Sequence, residues 1–367
     1  MKYGMGPGDI HSYLSAKVLG QSEVLRQISV SVYKHLNGIK WGNVLLIGNS
    51  GTGKTTIMNS MRQFYRSHKD LHRYQVMVVM NANTLLNEEG EVDLNRVFKG
   101  MEADVHRILG AKADAAAMKA YMENATVCFD EIDKVSSRIS GKVNVPGIAI
   151  QQALLTILEG ELIHVETTVI EGERRKRMRI PIDTSKMLFV CGGAFEELYD
   201  QVYSLVENRQ DERELKTTSS WNDASGRLDE QIFFTLREYL KLSDLFTYGM
   251  VPQFISRFSA IGILDDLDEA ALKHILLTAD DSPYISAKAY FQTFGLGLTM
   301  TESALERIVS NARQNARIGA RALRDVFNRI VTDIQFDPFS SEKMVQEGQQ
   351  KSIRIDSELV DRYLAPA

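Results

Sequence analysis

The stretch Gly48-Asn49-Ser50-Gly51-Thr52-Gly53-Lys54-Thr55 constrains this chain more than any other. It fits the spacing G-x-x-x-x-G-K-[ST], with a short apolar run "NVLLIG" before it and a helix-forming segment to about Arg66 after it. Glycines let backbone N–H groups turn toward phosphate oxygens without side-chain clash. The helix that follows points its positive end at the same place. Lys54 is placed to reach the β- and γ-phosphates, and the Thr55 hydroxyl to ligate Mg²⁺; Asn49, Ser50, Thr52 and Thr56 complete the cradle. Such a loop requires an apolar strand to enter it and a helix to leave it, so the motif already implies an α/β fold.

"ATVCFDEID" reads as a second strand, ending in acids. Asp130 supplies the carboxylate on the Mg²⁺ side. Glu131 follows directly and can polarise a water for attack on a γ-phosphate. A small-molecule kinase needs no such base, because its substrate delivers the acceptor hydroxyl, so the pair favours hydrolysis. The structural alternative is that Asp130 only caps the next helix.

Further buried strands, "YQVMVVMNA" and "MLFVCGG", alternate with amphipathic segments such as "QSEVLRQISVSVYKHLNGIK" and "GIAIQQALLTILEG". Apolar strands alternating with helices imply a parallel sheet covered on both faces. With 367 residues, two domains are expected: an α/β nucleotide-binding domain over 1–263 and a smaller, mostly helical one over 264–367, with "KSIRID" as one late strand. Residues 164–182 alternate around Glu171-Gly172 and read as a hairpin with a charged arm; residues 207–230 are polar and read as a long loop. Cys128 and Cys191 lie in apolar runs and read as buried, reduced thiols. No apolar run is long enough for a membrane span, and the first residues lack a signal-peptide core. A cytoplasmic protein with no membrane partner is expected. The net charge of −5 argues against general nucleic-acid affinity, although a local basic patch leaves that open.

Taken together, "GNSGTGKT", "FDEIDK", "CGGAF", "VPQFISRF" and "GARALR", in this order, resemble the ClpX branch of the AAA+ ATPases, with HslU as its nearest cousin. The resemblance covers nearly the whole chain. It implies a P-loop AAA+ module followed by a small helical domain, in a homo-hexameric ring that uses ATP and Mg²⁺ to pull polypeptide clients through a central pore. Nucleotide then lies between the two domains of one subunit and against its neighbour. Val18, Leu19 and Gly20 match the segment that contacts nucleotide. By position, Glu131 activates water, Arg257 matches the arginine finger that reaches a neighbour's γ-phosphate, and Arg321 matches sensor 2. A planar, permanently charged guanidinium suits both arginine roles.

The departures from the family pattern carry their own expectations. A four-cysteine zinc domain precedes the ATPase module in ClpX and is not found here. The aromatic–aliphatic–glycine pore grip has as its nearest match Phe98-Lys99-Gly100; the alternative is that Val97 and Phe98 are helix core. A second pore-facing loop is expected near Arg138 to Pro146. Arg174, Arg175, Lys176, Arg177 and Arg179 form a basic arm where ClpX carries a basic pore-entrance loop, able to draw in acidic segments or nucleic acid. The stretch after "CGGAF" lacks the Ile-Gly-Phe tip that docks ClpP, so that peptidase is not an expected partner; Trp221 is the candidate anchor for another. Two other functions stay open: a nucleic-acid remodelling ATPase and a nucleotide-gated scaffold.

Overall fold

The computed structural model describes residues 3–40, 42–139, 141–172, 174–207, 216–222, 227–279, 282–313, 320–339, 344–347 and 350–364. The chain divides into two compact units: residues 1–15, 23–48 and 54–264 in the first, and residues 16–22, 49–53 and 265–367 in the second.

Helices of the first unit are α1 (Pro7–Ser15), α2 (Ser22–Leu36), α3 (Lys54–Ser67), α4 (Asn95–Leu109), α5 (Ala115–Glu123), α6 (Val145–Leu158), α7 (Glu196–Glu207), α8 (Leu236–Tyr239), α9 (Leu242–Tyr248) and α10 (Pro252–Ile255). Its strands are β1 (Val44–Ile47), β2 (Met77–Asn81), β3 (Thr126–Asp130), β4 (Arg138–Ile139), β5 (Lys142–Val143), β6 (Leu162–Glu171), β7 (Arg174–Asp183), β8 (Leu188–Gly193), β9 (Lys216–Asn222), β10 (Arg227–Phe233) and β11 (Ala260–Ile263). Five of these form one parallel sheet in the order β11-β1-β8-β3-β2. Every residue of β1 and β8 is buried, as a sheet covered on both faces requires. Helices form where apolar residues recur every three or four positions; α2 buries Val24, Ile28, Val32 and Leu36 along one stripe. Caps set some of their ends: the Asn144 side chain accepts from Gly147 N before α6, and Gly160, at φ +82°, lies just past its end.

Four expectations are corrected here. The edge strand β11 was not anticipated: four residues of "SAIGIL" beside a domain boundary give too short a pattern to read. Residues 207–230 are not one loop, because β9 and β10 pair antiparallel from Lys216↔Phe233 to Asn222↔Arg227. Their many Ser, Thr and charged residues leave no apolar run by which a strand could be read from the sequence. Trp221 is carried on β9, and its side chain lies outside the described residues. Phe98 is not a surface grip. It is 3% exposed on the inner face of α4 with Val97, Met101 and Val105, and a Cβ on Gly100 would approach Val78 at 3.2 Å, so this stretch of α4 packs tightly on β2. The fourth correction concerns the late strand and follows below.

Two antiparallel ribbons belong to the same unit as the sheet. β4 and β5 form a minimal hairpin with Ile139, Val143 and the adjoining Val145 exposed. β6 and β7 form the expected long hairpin, turning at Gly172 with φ +65°. It is fastened near its tip by Thr168 N donating to Glu102 Oε1 (2.8 Å) and near its base by Lys119 Nζ donating to the Pro181 carbonyl (2.6 Å). Both cysteines are free and buried, and burial pushes both thiols up.

The second unit holds α11 (Glu269–Thr278), α12 (Pro283–Gln292), α13 (Glu302–Arg313), α14 (Ala320–Phe336) and α15 (Ser357–Leu364) around Phe291, Ile308, Phe327 and Ile330. "KSIRID" is a strand, but not a lone one. It belongs to β14 (Gln350–Ile355), which pairs parallel with β12 (Gly297–Met300) and antiparallel with β13 (Met344–Glu347). Two four-residue strands were too short to stand out beside the helical pattern. Among the described residues, no helix is long and apolar enough to cross a membrane.

Candidate nucleotide site

Strand order decides which groups meet. β8 lies between β1 and β3 and bonds to both, so Gly48, at the exit of β1, and the acids ending β3 flank the end of β8. That strand end is Gly192-Gly193. A Cβ on Gly192 would lie 3.1 Å from Met58 Cε, 3.6 Å from Lys54 Cδ and 3.7 Å from Asp130 Oδ1. On Gly193 it would lie 2.6 Å from the Phe195 ring and 2.7 Å from Asp133 Oδ1. Side chains are thus excluded from the middle of the site, which leaves room for Lys54 and Asp130.

Within the first unit, the Gly48 N–H donates to the Gly193 carbonyl (3.2 Å), and Lys54, buried at the start of α3, donates from Nζ to the Gly48 carbonyl. Thr55 Oγ1 donates to Asp130 Oδ2 at 3.1 Å, while Asp130 Oδ1 accepts the Glu131 N–H at 2.9 Å. Asp130 therefore fixes both the hydroxyl and the backbone of the next acid. Glu131 is held at φ +55°, in the left-handed region that costs an L-residue about 1–2 kcal/mol. Glu131 is exposed, and residues held in such strained conformations cluster at functional sites. Behind it, the buried Asp133 accepts the Ala194 N–H (3.2 Å) and ties this turn to the end of β8. Thr56 points to solvent.

Within the second unit, Asn49–Gly53 closes on itself. Thr52 Oγ1 donates to the Asn49 carbonyl (2.8 Å), and Gly51 and Gly53 adopt φ of +80° and +108°, which glycine alone tolerates cheaply; Ser50 is half-buried. Val18 is buried, 3.7 Å from where a Cβ on Gly53 would be. Leu19 is half-buried beside it, and Gly20 turns at φ +74°. Sequence reasoning missed the next residue. Gln21 is buried, and its Nε2 donates to the carbonyls of Thr52 (3.2 Å) and Asp265 (2.8 Å), while its Oε1 accepts from Asp265 N (3.1 Å). A glutamine placed between a left-handed glycine and a helix start is the only signal it offered. The Ala320 N–H donates to the Gly51 carbonyl (3.3 Å), so α14 starts beside the loop, with the exposed Arg321 as its second residue. Arg257 lies apart in sequence from this set, and its Nη2 donates to Glu159 Oε1 at 2.6 Å.

The donor set suits a hard divalent cation: a hydroxyl and a carboxylate oxygen already converge, with a lysine beside them for the anion the cation would accompany.

A glycine cradle at the end of β1, two acids at the end of β3 and a 5-stranded parallel sheet define a P-loop ATPase of the AAA type. Residues 39–261 match the AAA domain family (Cdc48 subfamily), and the chain belongs to that family. Within it, the similarity is to ClpX. The "ATP-dependent Clp protease ATP-binding subunit ClpX" of Bacteroides thetaiotaomicron is 30% identical over 354 residues, covering 92% of this chain and 78% of that protein. The subunit of the same name from Porphyromonas gingivalis is 28% identical over 374 residues, covering 98% and 82%. That from Bacteroides fragilis is 28% identical over 347 residues, covering 90% and 76%.

Proposed function

We propose that the chain is an ATP-driven protein unfoldase that assembles into a hexameric ring and draws polypeptide through its centre. The observation that carries the reading is the convergence of Thr55, Asp130 and the strained Glu131 beside Lys54. Lys54 and the loop N–H groups of Gly48–Thr55 hold the ATP phosphates and stabilise the charge that develops on them. Thr55 and Asp130 hold Mg²⁺, which supplies charge neutralisation on the β- and γ-oxygens when bound. Glu131 polarises the attacking water and accepts its proton. Arg257 acts on a neighbouring subunit's γ-phosphate, as a head-to-tail ring interface allows, and Arg321 acts as sensor 2. Phe336 and Phe339, exposed at and just beyond the end of α14, offer apolar surface that a neighbour can cover.

Client contact falls to the β4–β5 hairpin, whose exposed Ile139 and Val143 are an apolar tip with no structural duty in the core. ClpP is not a partner in this reading: the segment between α7 and α8 carries no Ile-Gly-Phe. A cytoplasmic setting fits the ClpX-like chemistry. A second reading, remodelling of nucleic-acid complexes, is favoured by one observation: Arg174, Arg175, Lys176, Arg177 and Arg179 are all exposed along β7.

The test is Glu131→Gln. ATP binding is expected to stay within a few-fold of the parent while hydrolysis falls by about two orders of magnitude or more. The trapped ring is then used to capture clients. Near-normal turnover removes Glu131 from the role of base. Capture of unfolded protein supports the first reading, and a salt-dependent shift of DNA or RNA supports the second.

A further inference from the structure

The helix α6 touches the chain at both ends of an important path. Gln151, on its second turn, is fully buried. Its Nε2 donates to the Val135 carbonyl (2.7 Å) and the Gly249 carbonyl (3.3 Å), and its Oε1 accepts the Val251 N–H (2.7 Å). Val135 closes the turn that begins at Glu131. Gly249–Val251 leads directly through α10 to Arg257. The two backbones are pressed together where the amide joins them. A Cβ on Gly249, which sits at φ +113°, would lie 2.4 Å from Ser136 Oγ, and the Ser137 N–H donates to the Gly249 carbonyl at 2.8 Å.

At the other end of the same helix, Glu159 is the C-cap residue, with its N–H on the Leu155 carbonyl. Its carboxylate takes Arg257 Nη2 at 2.6 Å. Arg257 Nε is buried and has no partner among the described residues. One helix thus holds the backbone that enters Arg257 through Gln151, and the guanidinium through Glu159.

We propose that Gln151 and Glu159 are positioning residues for Arg257, so that α6 couples the Glu131 turn of one subunit to the arginine which that subunit offers to its neighbour. This inference rests on the reading of Arg257 as a residue that acts in trans. A long guanidinium side chain contributes to a transition state only if its orientation is set beforehand. A charge-assisted bond to Nη2 restricts where the guanidinium can sit and leaves other N–H groups of its Nη atoms for phosphoryl oxygens. The amide at 151 transmits position because it has three backbone partners on two segments, and a shift of either segment strains all three bonds.

The decisive experiment uses mixed assemblies of the full chain. Glu159→Ala alters a half-exposed residue at a helix end and is expected to fold normally. Alone, it should lower kcat for ATP about tenfold or more, with KM within about twofold, because the cradle is untouched. Mixed with Lys54→Ala subunits, which lack a working cradle but carry a sound Arg257, it should recover activity above that of either variant. Gln151→Ala should behave the same way, with its thermal midpoint measured in parallel. The control is Arg257→Ala mixed with Lys54→Ala. If the control mixture gains nothing although mixed rings form, the trans reading of Arg257 falls. If the control recovers and the Glu159→Ala mixture does not, α6 serves its own site and the inference is overturned. Faster hydrolysis by Glu159→Ala also overturns it, since the ion pair is then a latch on Arg257 and not a guide.

Discussion

At the end of β8, a Cβ added to Gly193 would collide with Phe195 and Asp133; at the tips of the two ribbons, a Cβ added to Gly141 or Gly172 would meet nothing within 4 Å. The same residue type is required for opposite reasons. Gly193 is glycine because its neighbours leave no space. Gly141 and Gly172 are glycine because the turns need φ of +76° and +65°. Beside this tight packing, Asp130 is held by two hydrogen bonds, from the Thr55 hydroxyl and the Glu131 N–H. On the ribbons Ile139, Val143 and the basic residues of β7 are exposed. In the proposed reading, the contrast separates a part of the chain that acts on a small fixed ligand from parts available to large and variable ones.

The largest expected effect tests which side of the contrast Phe98 belongs to. Buried between α4 and the sheet, Phe98→Ala should cost about 3–5 kcal/mol, read from the shift of a urea or thermal midpoint. A variant of near-parent stability that loses only its response to clients would return Phe98 to the surface role and break the comparison there.

A smaller effect is expected at Gly193. Gly193→Ala forces the Phe195 ring and the Asp133 carboxylate apart, a case of overpacking that costs about 1–3 kcal/mol. Because Asp133 also fixes Ala194 behind the Glu131 turn, ATP turnover should fall with it. Gly172→Ala should cost about 1 kcal/mol from its backbone angle alone and leave turnover unchanged. Equal effects of the two substitutions on turnover would erase the distinction.

This contrast also explains how much was legible in the sequence. The cradle and the acids could be read because turning toward phosphate demands glycines at fixed spacing, and because a strand must end before a carboxylate can reach the loop. The parallel sheet followed from apolar runs at β1, β2, β3 and β8. What escaped was set by tertiary context. β11 is too short to show a period, and β9–β10 pair through residues that look like loop. Phe98-Lys99-Gly100 matches a motif in letters, while helical spacing with Val97, Met101 and Val105 decides that it packs inward. Gln21 and Gln151 gave almost no signal, since a buried amide is recognisable only by the carbonyls and N–H groups around it, and those arrive from distant segments.

The smallest expected effect on the fold, and the most informative about function, lies on the β4–β5 ribbon. Ile139 and Val143 are exposed by 45% and 69%, and the pair Ile139↔Lys142 closes a turn of minimal length. Substituting both by serine removes apolar area that is already in water, so stability should change by about 0.5 kcal/mol or less. The hairpin's junction with the rest of the unit is made by backbone and hydroxyl groups: Ser137 N–H to the Gly249 carbonyl at 2.8 Å, and Ser136 Oγ to the Tyr248 carbonyl at 2.8 Å. Neither bond uses the substituted side chains, so basal ATP hydrolysis should persist. Stimulation of hydrolysis by an unfolded protein, if this ribbon grips the client, should disappear, because a sliding polypeptide offers no fixed polar partners and apolar contact is the only grip common to all sequences. The measurement is ATP turnover with and without a permanently unfolded substrate, compared between parent and double variant. Intact stimulation would mean that the client is held elsewhere, and the basic face of β7, with its four arginines, would be the next surface to test.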